Sequence, residues 1–592
     1  MGFHFSGSGP RRTAGGRTVD WELKRELQEK LAGEQGYYRY AAGTRQRFAL
    51  VYPNSYFVGM SNLGLHIIYD LLNKRRDTAC ERFFLPERQH IARYEKTRTP
   101  LMSIENQLPL YEFPLIGFAV SFEMDYFNVL KVLELGKIRL RAAERTEQDP
   151  IVIAGGPCAT FNPEPLSLVI DAFIIGEGEV IMPAFMDAYA RARAAGVSRA
   201  ELLLALAAVP GVYVPSLYEH RYDAAGRLAA VEPLPGAPER VCRQWVKDLD
   251  AWPAHTVVVT DDTEFNLYLI ETARGCGRHC RFCMAGYCFR VPRNRSLAII
   301  EREVQEALPF GKRIGLMGAA ISDYPEIDAL CRNILGEGLA MSVASFRADS
   351  VTEELVASLA ESGLKTLTMA PEAGSKRMRA VINKGIEEEH LFHAMDLGLA
   401  AGIPNYRLYL MIGLPFETAE DIEAIIDLAG RLKDYMEERG AKGTLTLSIN
   451  PFIPKPFTPF QWSPMCEKKT VERSLKRIEQ ALRCRKHIHI IAESPREAYV
   501  QGVLARGDRR VAAVLLRAHE MGGSKAFRRA MREAQLDPAF YLYRERSPEE
   551  MFPWERLDMG FRKEYLYAEL QRAQKLLPTV PCFAGCHRCG VC

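Results

Sequence analysis

The 592-residue sequence predicts an α/β protein with two successive strand–helix series and a mainly helical C-terminal region. The first observation behind this prediction is that nearly continuous apolar strands alternate with helices, a pattern typical of parallel sheets covered on both faces. The second is composition, because 47% hydrophobic and 26% charged residues are ordinary for a globular protein. Intrinsically disordered chains, collagen-like fibres and coiled-coil rods are thereby excluded.

Patterning along the chain predicts five parts. Residues 1–45 comprise a Gly/Arg-rich tail, expected to be disordered, and a polar helix, and residues 46–200 carry the first strand–helix series. A Pro- and Ala-rich linker spans 201–262, the second series spans 263–465, and residues 466–592 form a basic helical region that ends in cysteines. At roughly 100–200 residues per domain, the length suits such a multidomain arrangement.

The first series predicts a doubly wound, Rossmann-like domain that binds a nucleotide or another cofactor. Gly155, Gly156 and Gly176 lie in glycine turns at strand ends, where such folds bind ligands. They are candidate cofactor-binding positions, although close packing of the backbone against its own helices would also require glycine. The expected strands, with helices between them, are 48–53, 113–122, 149–159 and 168–179.

The second series contains six strand–helix units, which are too few for a closed eight-fold barrel. A partial, open (β/α)6 barrel is therefore expected. Its strands are predicted at 267–275, 313–320, 340–348, 365–373, 406–414 and 443–452, and its helices at 298–309, 325–337, 353–362, 375–402 and 418–438.

Charge and cysteine usage narrow the setting of the protein. The 77 Lys and Arg against 74 Asp and Glu give a net charge of +3, which does not favour a polyanionic partner for the whole molecule. No apolar run reaches the ~18–20 residues of a membrane span, and the N-terminus lacks the apolar core of a signal peptide. Of the 14 cysteines, eight lie in two short segments, four within 276–288 and four within 582–592, which favours metal binding over disulfides. We therefore expect a cytoplasmic location and no membrane partner.

The first cysteine segment follows the first strand of the predicted barrel. Cys276, Cys280 and Cys283 have the spacing C-x3-C-x2-C, so that each thiolate can hold one iron of a [4Fe–4S] cube. The fourth iron is then open to a small molecule, which it can bind and supply with one electron. A zinc site with Cys288 or His279 as fourth ligand is the alternative. The position at a barrel strand's C-terminal end favours an active site.

These three cysteines, with Phe282 before the last of them, resemble the motif of the radical S-adenosylmethionine superfamily. The resemblance implies a cluster that takes an electron from a reductant such as flavodoxin or ferredoxin. The cluster then cleaves S-adenosylmethionine reductively to a 5′-deoxyadenosyl radical. The N-terminal half resembles the cobalamin-binding-type domain of many such enzymes. The chain from residue 46 onward is similar to one largely uncharacterised bacterial family through VYPNSYFVGMSNLGLHIIYDLLN (51–73), GGPCATFNPEP (155–165), GEGE (176–179), APEAGSKRMRAVINKG (370–385), LYLMIGLPFET (408–418), NPFIPKPFTPFQW (450–462) and CHRCGVC (586–592).

The resemblance implies groups at the barrel strand ends that bind S-adenosylmethionine. Superfamily members often carry Gly-Gly-Glu after the second strand, whereas this chain has MGAA (317–320). Gly318 still permits close approach of the backbone, and Asp323 is a candidate replacement for the missing acid. Glu372, at the end of the fourth strand, is expected to accept hydrogen bonds from the ribose hydroxyls. The alternative for Glu372 is a favourable interaction with the dipole of the next helix.

Four further residues complete this set of candidates. Ser345 and Arg347 end the third strand, and Arg347 is expected to clamp the carboxylate of the cofactor, with a structural salt bridge as the alternative. Gly413, after the fifth strand, is expected to allow close approach of adenine, with a plain turn as the alternative. Lys384 is interpreted mainly as a residue that closes its helix, and secondarily as a contact to cofactor or substrate.

The occupant of the N-terminal domain stays open. The motif Asp-x-His-x-x-Gly of domains that ligate cobalt through histidine is missing from this sequence. His66 lies on an apolar helix face and is interpreted as a core residue. Cobalamin binding without a histidine ligand, another ligand at the glycine turns, and a scaffold without ligand are the three alternatives.

The second cysteine segment offers four thiolates, which suit either a second [4Fe–4S] cluster or a zinc ion. A cluster would relay electrons or anchor a substrate. The stretch 466–546, with 19 Lys and Arg against 10 Asp and Glu, is interpreted as a solvated surface, with an RNA-facing surface as the alternative. The four cysteines are Cys582, Cys586, Cys589 and Cys592.

The function that follows is that of a radical enzyme acting on RNA or a small metabolite. Methylation is expected if cobalamin is bound, and rearrangement if it is not. A non-catalytic iron–sulfur or electron-transfer protein is the alternative, although a relay needs no open iron. A zinc-dependent RNA-binding protein is the third hypothesis.

Overall fold

A six-stranded sheet forms the centre of the N-terminal part of the computed structural model, which describes residues 20–41 and 43–592. The predicted disordered tail lies outside these residues except for Asp20. The strands are β1 (Gln46–Tyr52), β2 (Thr78–Phe84), β3 (Leu115–Ala119), β4 (Ile151–Gly155), β5 (Ala172–Ile174) and β6 (Val212–Tyr213). Their order is β2-β1-β3-β4-β5-β6, and all neighbours are parallel except β5 and β6. The strand order reverses between β1 and β3, which is the switch point of a doubly wound sheet.

The two faces of this sheet are covered by different parts of the chain. Because side chains alternate along a strand, Phe48 and Leu50 face one side and Ala49 and Val51 the other. The longer N-terminal helices are α1 (Trp21–Ala32), α2 (Leu63–Lys74), α3 (Arg88–Thr97), α4 (Tyr126–Leu135), α5 (Gly178–Ala195) and α6 (Arg199–Ala207). The first face packs against α2, α5 and α6, and the second against α4 and helices from the C-terminal region. Since β6 lies beyond residue 200, the sheet extends into the predicted linker.

A second set of parallel strands forms an open barrel with seven strands in the described part of the chain. They are β7 (Leu267–Glu271), β8 (Arg313–Met317), β9 (Met341–Val343), β10 (Thr366–Glu372), β11 (Asn405–Ile412), β12 (Leu445–Pro451) and β13 (Ile488–Ala492). Strands β7–β9 and β10–β13 form two sheets, and a bridge between Phe346 and Met369 connects them. The helices are α7 (Leu297–Ala307), α8 (Ile327–Gly336), α9 (Glu353–Glu361), α10 (Lys376–Val381), α11 (Glu388–Ala400) and α12 (Ala419–Glu438). The α/β prediction is thus confirmed, with one strand more than expected.

Three local differences from the predicted elements have physical reasons. Strand β13 was expected to be helical; it pairs with β12 through its backbone while most of its side chains stay partly exposed, so it shows no clear apolar alternation. Strand β2 was missed because it carries the buried Arg82, which is neutralised by Glu34 and Glu105. The single helix expected over 375–402 is divided into α10 and α11, with left-handed residues at Asn383 and Gly385 between them.

The C-terminal helices return to the N-terminal sheet. Helix α15 (Arg509–Glu520) packs on α4 and on the turn Glu164–Leu166, so that both regions share one hydrophobic core. None of the helices among the described residues has the length and apolar composition that crossing a membrane requires. The longer helices of this region are α13 (Lys468–Leu482), α14 (Pro495–Arg506), α15 (Arg509–Glu520), α16 (Phe527–Glu533) and α17 (Lys563–Gln574).

Candidate active site

A cavity of about 480 Å³ lies where the N-terminal sheet meets the barrel. Its N-terminal wall comes from β1, β3, β4 and β5 and from helices α2 and α5. Its barrel wall comes from the ends of β7 and β8 and from Ala285 and Phe289, which follow Cys283 in the chain. The switch point between β1 and β3, where doubly wound folds bind ligands, therefore opens toward the C-terminal ends of the barrel strands.

The predicted glycine positions line this cavity, but they differ in whether the surrounding backbone leaves room for a side chain. Gly156 has φ +99°, and a Cβ there would lie 2.6 Å from the carbonyl oxygen of Val120. Gly176 has φ +125°, and its Cβ would lie 2.0 Å from the carbonyl oxygen of Gln244. At Gly155, by contrast, the nearest atom is an ordinary 3.5 Å away, so a side chain would project without a backbone clash. The cavity-lining glycines among the candidates are Gly155, Gly156, Gly176 and Gly318.

The cavity continues into the N-terminal part between the sheet and two helices. Leu50 of β1, Ile68 of α2 and Met182 of α5 contribute apolar surface. Asn62 and Ser121 supply polar side chains, and Nδ2 of Asn62 donates to Oγ of Ser121 at 3.4 Å. The site thus combines an apolar pocket with a few polar groups, as small-molecule and cofactor sites usually do.

The three cysteines of the first segment lie on the loop after β7. Gly275 begins this loop with φ +82°, and a Cβ there would lie 2.2 Å from the carbonyl oxygen of Phe289. Burial, and then the neighbouring Cys280, raise the pKa of Cys283 to about 12, and burial likewise raises the pKa of Cys276. Thiolates therefore need a compensating cation here, which the irons of a cluster would supply.

The two residues considered as the fourth ligand of a zinc ion each have other neighbours. Cys288 is buried beside Arg243, at the end of a short helix. The ring of His279 is held by Tyr565, whose hydroxyl lies 2.9 Å from Nδ1. Across the described residues, no three Cys, His, Asp or Glu side chains meet as the ligands of a single metal ion do. The thiolates of a cubane bind different irons and need not meet at one point.

Arg347 lies directly beside the cysteine loop. Its Nε donates to Asp349 at 2.9 Å, and its Nη2 donates to the carbonyl oxygen of Lys384 at 2.7 Å. Its Nη1 is 4.0 Å from the sulfur of Cys280. The salt bridge considered for Arg347 is therefore present, and the same guanidinium lies beside a candidate cluster ligand.

Lys384 and Glu372 form a buried ion pair next to this loop, with 3.1 Å between Nζ and Oε1. Burial by itself lowers the pKa of Lys384, but Glu372 and Cys280 more than offset this, so the pKa lies above its usual range. The ammonium is also 5.9 Å from the centre of the Phe282 ring. The backbone of Lys384 closes α10, as the main interpretation has it, because its N–H donates to the carbonyl oxygen of Arg379 at 2.9 Å. Its side chain lies beside the cysteine loop, and the contact to cofactor or substrate stays a prediction.

The remaining candidates, Asp323, Gly413 and Ser345, differ in their contacts with neighbouring residues. Asp323 accepts a hydrogen bond from Arg278 at 2.8 Å and is thus already paired. Gly413 has φ +76°, and a Cβ there would lie 2.9 Å from the Cβ of Cys466, so local packing explains this glycine. Ser345 lies two residues beyond β9 and is partly buried. The contacts predicted for these residues with S-adenosylmethionine stay predictions.

A charge network between the two walls of the cavity was not predicted. Arg274 makes three ion pairs, with Glu177 at 3.0 Å, Glu179 at 2.8 Å and Glu271 at 2.9 Å. Arg293 joins them through Glu177 at 2.7 Å. Burial by itself raises the pKa of Glu177, but Arg293 and Arg274 more than offset this and lower it. The GEGE motif was the signal in the sequence, since it supplies both N-terminal carboxylates.

His66 is a packed core residue, as predicted. Its Nε2 lies 3.0 Å from the carbonyl oxygen of Met60, and its Nδ1 accepts from the backbone N–H groups of Val257 and Val258 at 3.3 and 3.4 Å. Burial lowers its pKa to about 4, so the ring is neutral at pH 7. Both ring nitrogens are therefore engaged by backbone groups.

Comparison with known proteins gives matches on both sides of the cavity. The models "Radical SAM proteins, N-terminal" and "Radical SAM superfamily" match residues 64–215 and 270–429. An uncharacterized protein of Methanocaldococcus jannaschii is 29% identical over 471 residues, which cover 79% of this chain and 90% of that protein. An uncharacterized methyltransferase of Pyrococcus horikoshii is 27% identical over 311 residues, which cover 50% of this chain and 61% of that protein.

Among solved structures, the radical S-adenosylmethionine methyltransferase TsrM from Kitasatospora setae, with cobalamin and a [4Fe–4S] cluster bound, aligns with a TM-score of 0.48 and 13% identity. The alignment covers 83% of this chain and 99% of that one. The second family match contains the end of β7, the cysteine loop and the candidate residues from Gly318 to Gly413. The chain therefore belongs to the radical S-adenosylmethionine superfamily and is an enzyme of that superfamily.

Proposed function

We propose that this enzyme binds cobalamin in the cavity between the N-terminal sheet and the barrel, and that it catalyses methyl transfer with S-adenosylmethionine. The observation that carries the proposal is the cavity itself. It joins the switch point of a doubly wound sheet to the barrel mouth that carries the three-cysteine loop. Cobalt in the cavity would then lie near S-adenosylmethionine beside the cysteine loop.

The residues of the barrel mouth suit S-adenosylmethionine and a cluster. Cys276, Cys280 and Cys283 would hold the cluster, and Arg347 and the Lys384–Glu372 pair supply charged groups beside it. When bound, the cluster supplies an electron to S-adenosylmethionine, and cobalamin supplies a carrier for a methyl group. The protein's own contribution is to orient the carboxylate and the ribose of S-adenosylmethionine next to the cavity.

The N-terminal wall suits cobalamin in polarity. The pocket between the sheet and helices α2 and α5 is apolar, and the nucleotide base of the cobalamin tail would lie there. Asn62 and Ser121 offer hydrogen bonds to amide groups on the ring. Since backbone groups engage both ring nitrogens of His66, cobalt would bind without this histidine as ligand.

Methyl transfer is favoured over rearrangement by one relative. The protein of Pyrococcus horikoshii that matches half of this chain is named a methyltransferase. Its name identifies no substrate, and the barrel mouth of this chain is equally compatible with a small metabolite or an exposed group of a larger molecule.

The experiment compares cobalamin binding by the wild type and by Gly155→Val after anaerobic reconstitution with iron, sulfide and cobalamin. The valine projects into the cavity without a backbone clash, so we expect an affinity for cobalamin reduced by about tenfold or more with unchanged iron content. Gly336→Val, at an exposed position with open space, is the matched control. Cobalt content, iron content and the products of S-adenosylmethionine are measured together.

Equal cobalamin binding by the wild type and Gly155→Val would contradict the assignment of the cavity. A wild type that retains no cobalamin but releases 5′-deoxyadenosine would rule out the cobalamin-dependent reaction and leave rearrangement as the function. Cys283→Ala is the control for the cluster, since it removes one of the three candidate iron ligands.

A further inference from the structure

The second cysteine segment lies against the outer side of the first. The backbone N–H of Cys582 donates to the carbonyl oxygen of Gly277 at 2.8 Å. The sulfur of Cys582 lies 3.3 Å from Nε2 of His279. Since Gly277 and His279 both lie between Cys276 and Cys280, the chain end touches the loop that carries the candidate catalytic ligands.

This contact is held by buried polar side chains. The fully buried Arg281 donates to the carbonyl oxygen of Leu577 at 2.6 Å and to Glu569 at 3.1 Å. Asn383 and Thr579 exchange two hydrogen bonds, of 3.0 and 2.9 Å. The segment before Cys582 is therefore fixed on the cysteine loop and on the residue next to Lys384.

Arginines surround the four C-terminal cysteines. The Nε of Arg588 donates to the sulfur of Cys586 at 3.1 Å. Arg290 donates to the carbonyl oxygen of Cys276 at 3.0 Å and lies 3.0 Å from Nδ1 of His279, between the two cysteine segments. A cluster with four thiolates carries net negative charge, which nearby guanidinium groups stabilise.

We propose that Cys582, Cys586, Cys589 and Cys592 bind a second [4Fe–4S] cluster, and that this cluster is the entry point for the electron used at the catalytic loop. The proposal rests on the proposed function, because it supplies the electron which that function consumes. The spacing C-x3-C-x2-C-x2-C gives one thiolate to each iron, so no iron is left open to anchor a substrate.

The position of the segment agrees with electron entry. The described residues that line the cavity fall between Phe48 and Ala319, and the C-terminal cysteines are not among them. Cys586 and Cys589 are buried, whereas Cys592 is exposed. The second cluster would therefore lie between solvent and the back of the catalytic loop.

The electron transfer is balanced in two steps. A reduced one-electron carrier protein is oxidised by one electron, and the second cluster is reduced by one electron. The second cluster then returns to its oxidised state as it reduces the catalytic cluster by one electron. No bond is formed or broken and no proton moves in either step.

The surface around the segment fits an acidic carrier protein. Val580 and Phe583 are 59% and 61% exposed, and Leu576 and Leu577 are 42% and 43% exposed. Large exposed apolar side chains of this kind mark interaction surfaces. Residues 571–592 contain two arginines and one lysine but no Asp or Glu. Opposite charge on the carrier would steer its docking here.

The first experiment uses the variant Cys586→Ser/Cys589→Ser, with Cys484→Ser at an exposed cysteine as the matched control. We expect about eight irons per chain in the wild type and in the control, and about four in the double variant. S-Adenosylmethionine cleavage is driven either by titanium(III) citrate, a small reductant, or by reduced flavodoxin. The flavodoxin-driven rate, divided by the citrate-driven rate, should fall about tenfold or more in the double variant.

Several outcomes would overturn the proposal. Zinc in place of iron at the C-terminal site, or about four irons in the wild type, would exclude the second cluster. An unchanged ratio of rates in a double variant with about four irons would exclude the relay. Failure of the proposed function is distinguishable, because a wild type with eight irons that cleaves S-adenosylmethionine but retains no cobalamin would contradict only the cobalamin-dependent reaction, and the ratio of rates would still test the relay.

A second variant keeps the test decisive if loss of the cysteines prevents folding. Val580→Glu/Phe583→Glu changes exposed side chains, and Ile491→Glu, at a 55% exposed position of β13, is its control. We expect about eight irons in both, with a ratio of flavodoxin-driven to citrate-driven rate at least about fivefold lower in the double variant. The electron paramagnetic resonance signal of the second cluster should also appear more slowly with flavodoxin. Equal ratios in the two variants would contradict electron entry at this surface.

Discussion

At the scale of single residues, the Lys384–Glu372 pair lies beside the candidate cluster ligand Cys280. A buried ion pair is weak evidence for stability, because desolvation of two charges offsets most of their attraction. Glu372 also has φ +66°, an uncommon conformation for a residue with a side chain. Strained backbone of this kind occurs often at functional sites. The pair is therefore a candidate for binding S-adenosylmethionine and not only for packing.

We predict that Lys384→Met weakens S-adenosylmethionine binding about tenfold or more, because it removes a cation at the barrel mouth. The same variant should lower the stability, since Glu372 loses its partner. Binding is measured by anaerobic equilibrium dialysis on protein with matched iron content. Lys376→Met, at a 78% exposed lysine of α10, is the control.

The double variant Lys384→Met/Glu372→Gln separates the role of the pair in binding S-adenosylmethionine from its role in stability. It removes both charges and should recover much of the stability but not the binding. Wild-type affinity in this double variant would show that the pair is purely structural.

At the scale of elements, the turn after β4 depends on its own backbone geometry. Gly156 precedes a short helix, Pro157–Phe161, and approaches the carbonyl of Val120 more closely than any side chain permits. Its neighbour Gly155 lines the same cavity but has neither a left-handed φ nor a close contact with a backbone carbonyl. The backbone therefore requires glycine at position 156, whereas at position 155 glycine only leaves space in the cavity. The sequence motif alone does not distinguish these two cases.

Gly156→Ala should destabilise the N-terminal sheet by about 1–3 kcal/mol, because alanine is strained at this φ and its Cβ meets a backbone oxygen. Gly155→Ala should be nearly neutral. The midpoints of thermal unfolding of the two variants are compared under identical conditions. A fall in midpoint that is equal for both would contradict the steric explanation.

Several arginines of the basic stretch 466–546 are buried, although its composition predicts a solvated surface. Arg506 of α14 is 1% exposed and donates to the carbonyl oxygen of Ser463 at 2.9 Å. Arg509 pairs with Glu164, and Arg546 is also buried. These arginines connect helices to the rest of the protein, so the positive charge of this stretch is not all available to an RNA.

At the scale of the whole molecule, the N-terminal part is joined to the rest by two buried carboxylates. Glu177 pairs with Arg274 and Arg293 on the barrel side. Glu164 accepts hydrogen bonds from Arg509 of α15 and from the hydroxyl of Tyr213. Burial by itself raises the pKa of both carboxyls, but their partners more than offset this and lower it.

We predict that these two contacts are lost on acidification. A carboxyl whose pKa is lowered in the folded state contributes stability above its unfolded value of about 4.3, and this stability is lost as pH falls below it. The difference in thermal midpoint between the wild type and Glu164→Gln/Glu177→Gln should therefore narrow below about pH 4.5. Glu354→Gln, in an exposed pair with Arg332, is the control.

The pKa values of two other buried acids are shifted in the opposite direction. Burial raises the pKa of Glu105 to about 7 and of Asp125 to about 6, so the folded state takes up protons there as pH falls from 7 to 5. For this reason the comparison uses the difference between variants and not the midpoint of the wild type alone. A difference that stays constant from pH 7 to about pH 3.5 would contradict the role of the two carboxylates.

The sequence by itself determined the α/β class, the two cysteine segments and the family, because spacing between neighbouring residues and the period of apolar positions are local properties of the chain. It also identified His66 as a core residue from its apolar helix face. Strands β2 and β13 escaped prediction, since a buried ion pair and partly exposed isoleucines both obscure the apolar pattern.

Only the tertiary structure decided what lies together at the site. The contact of Cys582 with Gly277, the pairing of Lys384 with Glu372, and the network of Arg274 with the GEGE carboxylates all join residues from different elements. Such contacts depend on how sheets and helices pack, and each is a compromise between desolvation and pairing of charges that no local pattern records. The cavity between the sheet and the barrel exists for the same reason, since one wall comes from residues within 48–182 and the other from residues within 271–319.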